Sequence, residues 1–286
     1  VTAKPQSTYG AAACLPEVVG NEVLFVQRSG KRIRAAAYSI DADQYIAADI
    51  TELHDRITAE GVKELVYAQE PYQNVWAVLD DGTACSFTYS QQQAVTGFVR
   101  HTFPGDVIGM ASVPGSGRDD VYVLLERGAN RFLCVMEDGL CLDLAGTVTG
   151  SAITSGAFAW LANETVKPLF DDCPDVEITA NGSGVVTFPY SVGSATVGLS
   201  FTPLIETLPI ELQMADGSAQ GRMASISEVM LRLLETQGLY VNGYAQSFRT
   251  TANTPTLNLP SPSFTGDHFI QVLGAQRNGK QVIIEQ

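Results

Sequence analysis

Three adjacent carboxylate pairs, Asp80–Asp81, Asp119–Asp120 and Asp171–Asp172, are the residues whose types could most readily do chemistry. Two carboxyl groups flanking a glycosidic bond can act as acid and as base or nucleophile. Each pair, however, falls in a turn-like setting beside Gly or Pro, where Asp is favoured because its side chain bonds nearby backbone. A turn role is expected for all three. Asp41 and Asp43 have the spacing that opens a calcium loop, but the later ligands and the sixth-position Gly are missing. Gly115-Ser116-Gly117-Arg118 is glycine-rich, yet it joins two strand patterns rather than a strand to a helix, so no phosphate cradle is expected. The three histidines, His54, His101 and His268, are far apart, and no nucleophile elbow is present. His54 reads as a solvated helix residue. Five cysteines (Cys14, Cys85, Cys134, Cys141 and Cys173) show no C-x-x-C pair and no neighbouring His, which indicates reduced, mostly buried thiols. No catalytic, cofactor-binding or metal-binding residue is assigned, and the chain is not expected to be an enzyme.

The bulk numbers narrow the classes further. The 286 residues are 45% hydrophobic and 17% charged, the composition of a folded protein. No apolar run is long enough to span a bilayer as a helix. With 31 acidic against 17 basic residues the net charge is −14, which argues against a sequence-reading nucleic-acid binder. It suits a surface that DNA slides past, since an acidic wall discourages sticking.

The elements that position these residues repeat. Val75 to Gly82 is a β-branched and aromatic run ending at Asp81-Gly82, and Thr83 to Tyr89 resumes the strand pattern. Val121 to Gly128 repeats it without a gap, Tyr122 falling on Trp76 and Gly128 on Gly82, with Arg131 to Met136 as the returning strand. Each copy follows another apolar segment and a Pro-containing loop: Leu65 to Gln69 before Pro71, and Val107 to Val113 before Pro114. A third copy lies upstream, Val23 to Gly30 answered by Arg32 to Ser39. Strand-turn-strand units recurring at roughly 40–50 residues are the signature of radial blades or stacked sheets. The aromatic positions Phe25, Trp76 and Tyr122 read as core.

Around this repeat the chain is less uniform. Residues 1–21 are expected to cross a surface before the first strand. Asp49 with Glu52, followed by Leu53, Ile57 and Gly61, reads as a short helical insert near 49–60. Thr88 to Thr102 reads as an outer strand. Gly146 to Gly156, rich in Gly, Ser and Thr, is the candidate boundary. Beyond it, Val176–Ala180 and Val185–Tyr190 should pair across Asn181-Gly182, with Ala195–Phe201 as a further strand. Ile226 to Glu235 fits a helix slightly better than a strand. Phe269–Leu273 and Gln281–Ile284 should form a last hairpin about Asn278-Gly279. The expected organisation is all-β: 1–150 as β-propeller-like blades with the helical insert, 157–202 as a small β-barrel, and 203–286 as a C-terminal β region packing back on the blades.

Several phrases resemble one family. Val23-Leu-Phe-Val-Gln-Arg-Ser-Gly30 with Arg34 and Tyr38-Ser39 is similar to the phage tail nozzle family, the tail tubular protein B-like proteins of short-tailed phages. So are Ala68-Gln-Glu-Pro71, Val75-Trp76, Asp81-Gly-Thr83, His101-Thr102, Leu208-Pro209, Gln220-Gly-Arg222, Leu231-Arg-Leu233 with Thr236, and Phe264-Thr-Gly-Asp267. The resemblance runs in order from about Gly20 onward. It implies a propeller-like body and, near Trp160 to Phe201, a barrel similar to the first catalytic-cysteine half-domain of ubiquitin-activating enzymes, without ubiquitin chemistry; Cys173 is not a matched catalytic cysteine. It also implies that Ile226 to Glu235 is a strand, and this is the expectation adopted. Family members start before the equivalent of Val1 and continue past Gln286, so the chain is expected to be an excerpt or a short relative. The function implied is a structural protein of the virion tail, made in the bacterial host cytoplasm. Copies would form a homo-oligomeric ring, a hexamer by resemblance, joined to the tail adaptor and other tail proteins and not to a membrane. DNA would pass through without specific binding. The alternative is a receptor- or glycan-binding β-propeller on a phage tail, with or without hydrolase activity.

Overall fold

A computed structural model of the chain describes residues 7–90, 93, 95–170, 173–174, 177–209, 213–214, 217–218, 226–248, 263–271 and 281–286. The protein is all-β, and the chain divides into two compact units, 1–144 and 145–286. The one helical element among the described residues is a single 3-10 turn at Ala159–Leu161.

The first unit holds three sheets. The first contains β1 (Glu17–Val19), β2 (Glu22–Val26), β3 (Ile33–Ser39) and β4 (Gln44–Asp49) in chain order. The second contains β5 (Val62–Ala68), β6 (Asn74–Leu79), β7 (Ala84–Ser90) and β8 (Val95–His101), again in order. The third has β9 (Asp106–Pro114), β10 (Asp119–Arg127) and β11 (Asn130–Val135). All neighbours are antiparallel, the up-and-down pattern of a propeller blade.

Which sheet lies in the middle is written in β6. Val75, Trp76, Ala77, Val78 and Leu79 run without a polar residue, and all five are buried. A strand covered on one face alternates, whereas one covered on both reads as a continuous apolar run. Val75, Ala77 and Leu79 pack with Leu24, Val26 and Ile33 of the first sheet. Trp76 and Val78 pack with Val107, Val121, Val123 and Leu125 of the third. In β2 and β10 burial alternates instead, as end sheets require. Each fully buried Leu, Val or Phe here contributes about 1.5–3 kcal/mol of transfer free energy.

The hairpin glycines explain the sequence repeat. Gly30, Gly82 and Gly128 have φ of 76°, 80° and 62°, the left-handed region that glycine enters at no steric cost. Two of them also link successive sheets. The Val62 N–H donates to Gly30 O at 2.7 Å, and the Val107 N–H donates to Gly82 O at 2.7 Å.

The second unit contains β12 (Asp143–Ala157), β13 (Thr165–Phe170), β14 (Cys173–Pro174), β15 (Ile178–Thr179) and β16 (Val185–Leu199), in a sheet ordered β12-β16-β13-β14 with β15 on β13. Val166, Phe170, Val186, Phe188, Ala195 and Val197 are buried there. Next come β17 (Leu204–Glu206), β18 (Gln213–Met214), β19 (Gly217–Ser218), β20 (Glu228–Thr236), β21 (Gly238–Val241), β22 (Tyr244–Ser247), β23 (Phe264–Gln271) and β24 (Ile283–Glu285). They pair as β17-β24-β21-β22, β18-β19 and β20-β23.

Several expectations are corrected. The helix near 49–60 is a series of turns. The Asp49 carboxylate accepts from the Thr51 N–H at 3.0 Å and Thr51 Oγ1 at 2.8 Å, so it closes a local turn instead of capping a helix. Thr51 and Thr58 are buried, while Leu53, assigned to the apolar helix face, is 89% exposed. Residues 146–156, the candidate boundary, form the middle of β12 rather than a loop, and the division between the two units falls just before them, at 144/145. Val185–Tyr190 and Ala195–Phe201 are not separate strands, because β16 runs through both. The Asn181 turn does form, with Asn181 Oδ1 accepting from the Ser183 and Val185 N–H groups at 2.9 Å, but the left-handed residue is Gly184. Among the described residues β23 pairs with β20, and β24 pairs with β17 and β21; the turn expected at Asn278-Gly279 lies outside the described residues. Ile226–Glu235 is a strand, as the resemblance implied. Of the three repeat aromatics only Trp76 is buried; Tyr122 and Phe25 are half-exposed.

Candidate functional site

Polar and aromatic groups converge in a cleft of about 150 Å³ between the second and third sheets. The β5–β6 loop contributes Glu70, Pro71 and Tyr72, the start of β10 contributes Arg118 and Asp119, and the chain after β11 contributes Met136 and Asp138. Trp76 and Asn74 of β6 complete the lining. The repeat marked the Pro71 loop and the Pro114 loop that precedes Arg118 as matching positions, but not that Arg118 and Asp119 would meet the Pro71 loop.

Asp119 fastens the cleft. Its Oδ2 accepts from the Gln69 N–H at 2.6 Å and the Glu70 N–H at 3.2 Å, and its own N–H donates to Glu70 O at 3.0 Å. Asp120 accepts from Arg118 Nε at 3.1 Å. The pair Asp119–Asp120 therefore opens a strand rather than a turn, a correction, and serves to bind loop to sheet. Asp80–Asp81 does occupy a turn: Asp81 Oδ1 accepts from the Thr83 N–H at 3.0 Å and from Thr83 Oγ1 at 2.6 Å. The Thr83 hydroxyl bond outweighs partial burial and holds the Asp81 carboxyl below its ordinary range. Asp171–Asp172 lies outside the described residues. Asp41 and Asp43 sit in the β3–β4 turn, with Asp43 accepting from the Tyr38 hydroxyl. No cluster of three or more His, Cys, Asp or Glu side chains fit to hold a metal occurs among the described residues.

The histidines are scattered, as the sequence indicated. His101 Nε2 meets Ser86 Oγ at 2.7 Å, and the ring lies 4.7 Å from Trp76. Burial lowers its pKa, which keeps the imidazole neutral. Among the described residues no carboxylate is bonded to this His–Ser pair, which is a packed hydrogen bond beside Trp76. His54 is not a solvated helix residue: its ring stacks on Phe98 at 4.8 Å, and its Nδ1 is buried without a partner. His268 lies among Phe248 and Phe264. The thiols are less uniform than expected. Cys85 is buried and its pKa is pushed up to about 12, chiefly by that burial; Cys14 and Cys134 are half-buried, and Cys141 is exposed. No side chain of Cys173 is described.

A different kind of site lies at the two ends of the stack. Tyr122, Leu124 and Glu126 of β10 point away from the second sheet, together with their cross-strand partners Val135, Leu133 and Arg131 of β11. Leu133 is 72% exposed and Val135 45%. On the first sheet, Val18, Val23, Phe25, Tyr38 and Tyr45 share the outward face. Val18 is 63% exposed, and Tyr38 and Tyr45 meet edge to face at 5.4 Å. On that face the Arg34 guanidinium lies over the Tyr9 ring, at 3.6 Å.

No family model matches the chain, and no curated protein matches it. Among solved structures, an exo-β-1,3-galactanase from Phanerochaete chrysosporium aligns over 94% of this chain and 90% of its own, at 10% identity and a TM-score of 0.29.

Proposed function

We propose that this chain is a structural component of a bacteriophage tail, a nozzle or tail-tube subunit that forms a ring around a DNA channel. The observation that carries the reading is a stack of three sheets within the first unit whose two end faces differ and carry exposed apolar side chains. A ring of identical subunits needs heterologous contacts, one surface meeting a different surface on the next copy. A stack with a distinct first and last sheet supplies two such surfaces. Its chemistry is consistent with scaffolding: each carboxylate pair whose side chains are described has at least one member bonded to its own turn or loop. The net charge of −14 lets DNA pass without adhering. Six copies, the tail adaptor as neighbour and location in the virion tail follow from the family resemblance. Sedimentation velocity over a range of concentrations tests it. Assembly into one closed species is expected, and a chain that stays monomeric at every concentration contradicts it.

A second reading, a glycan-binding propeller, has the cleft in its favour, because Trp76 and Tyr72 beside Glu70, Asp119 and Asp138 combine an aromatic wall with polar groups. Consistent hits on a glycan array, weakened by Tyr72→Ala, would favour it over the ring.

A further inference from the structure

The repeat fixes which way each sheet faces. Leu24, Trp76 and Tyr122 hold the same repeat position, as do Val26, Val78 and Leu124. In the first two sheets these residues point forward into the next sheet and are buried. In the third, Tyr122 and Leu124 are half-exposed beside Leu133 and Val135. The linking hydrogen bond tells the same story. Gly30 O and Gly82 O each accept an N–H from the leading strand of the following sheet, while the equivalent Gly128 O accepts none among the described residues. The third sheet thus presents the apolar face and the free carbonyl that its two predecessors use to hold a neighbour. The outward face of the first sheet, with Val18, Val23, Tyr38 and Tyr45, is the face that each later sheet turns toward its predecessor.

We propose that the outer face of β9–β11 receives the β1–β4 sheet of a second copy, so that subunits join head to tail by continuing the stack. This rests on the ring reading and names its contact. Two features select a second copy's first sheet over a second copy's third. Two third sheets would bring carbonyl to carbonyl, whereas the leading strand of a first sheet offers the N–H groups that Gly128 O lacks. Charge agrees. A chain of net charge −14 repels its copies, but several carboxylates beside the two faces have a cation partner: Glu126 with Arg131 at 3.6 Å, Asp120 with Arg118 at 3.1 Å, and Asp49 with Arg34 at 3.7 Å, while Asp43 is bonded by the Tyr38 hydroxyl instead. Two apolar faces with most neighbouring charges paired meet at lower cost than the rest of the surface.

The test uses the full chain with two exposed positions changed, Leu133→Lys and Val18→Glu, and reads sedimentation velocity beside circular dichroism. Each single variant should keep the wild-type spectrum and melting temperature yet self-associate about tenfold more weakly, because it buries an unpaired charge in the contact. The double variant, which sets Lys against Glu across the junction, should recover part of the loss. Both single variants assembling like wild type would overturn this contact and leave the ring reading standing. A wild-type chain that never assembles would overturn both.

Discussion

Replacing Val75 and Val78 by Ala, one at a time, probes the claim that the second sheet is covered on both faces. Both side chains are fully buried, and they belong to different cores, Val75 to the first and Val78 to the second. Each substitution removes about 1.6 kcal/mol of transfer free energy at roughly 0.8 kcal/mol per methylene-sized group. The residual cavity adds to this, because neighbouring strands cannot close on it, giving about 2–3 kcal/mol in total. For a unit of this size that is a drop of about 5–10 °C in Tm. The control is Val23→Ala in the first sheet, on the exposed side of an alternating strand, which should stay within about 0.5 kcal/mol under dilute conditions. Urea unfolding followed by tryptophan fluorescence and circular dichroism would measure all three. The reasoning is refuted if either Val75→Ala or Val78→Ala is as mild as Val23→Ala, since one face of β6 would then be uncovered.

Other perturbations bear on single features. Gly82→Ala should cost more than Gly128→Ala, since both have positive φ but only at Gly82 would a Cβ meet the Asp106 side chain, at 2.9 Å; equal unfolding midpoints would count against this. Acid should weaken the first sheet through Asp49. Burial alone would raise this carboxyl, but bonds from Arg32 and Thr51 hold it below its ordinary value. Its stabilising contribution is present above about pH 4 and lost as the pH falls through the depressed folded value, so Asp49→Asn should flatten the acid limb of a stability profile. His101, lowered by burial, gives stability above about pH 6.5 that is lost on acidification through its own lower value; an NMR titration showing an ordinary imidazole would contradict this. Among thiols, Cys141 should react with a disulfide reagent at mildly alkaline pH while Cys85 stays unmodified until unfolding, as peptide mass spectrometry would reveal.

The blades were legible where hydrophobic period and turn chemistry agreed. Asp81-Gly82 and the Gly128 turn gave the hairpins, and the unbroken apolar run of β6 carried the central sheet. The sequence misled where a side chain had a second use for the same letters. Asp49 reads as a helix cap from its spacing to Glu52, yet its carboxylate bonds two positions on, at Thr51, and also binds Arg32. Residues 146–156 read as a boundary because Gly and Ser are poor strand formers in isolation; the units do divide just before them, at 144/145, but pairing with β16 makes the segment itself strand. The cleft was legible only as two Pro-containing loops at matching repeat positions; nothing local announced that Asp119 would tie one to the other. Facing directions at the stack ends became visible only with register, because alternation marks two faces without saying which neighbour each has.

Electron microscopy of the assembled protein tests the central claim most directly. Closed rings, with the third sheet of each subunit against the first sheet of the next, are the expected image. Particles that remain single subunits under assembly conditions, or rings joined through neither end sheet, would contradict the account.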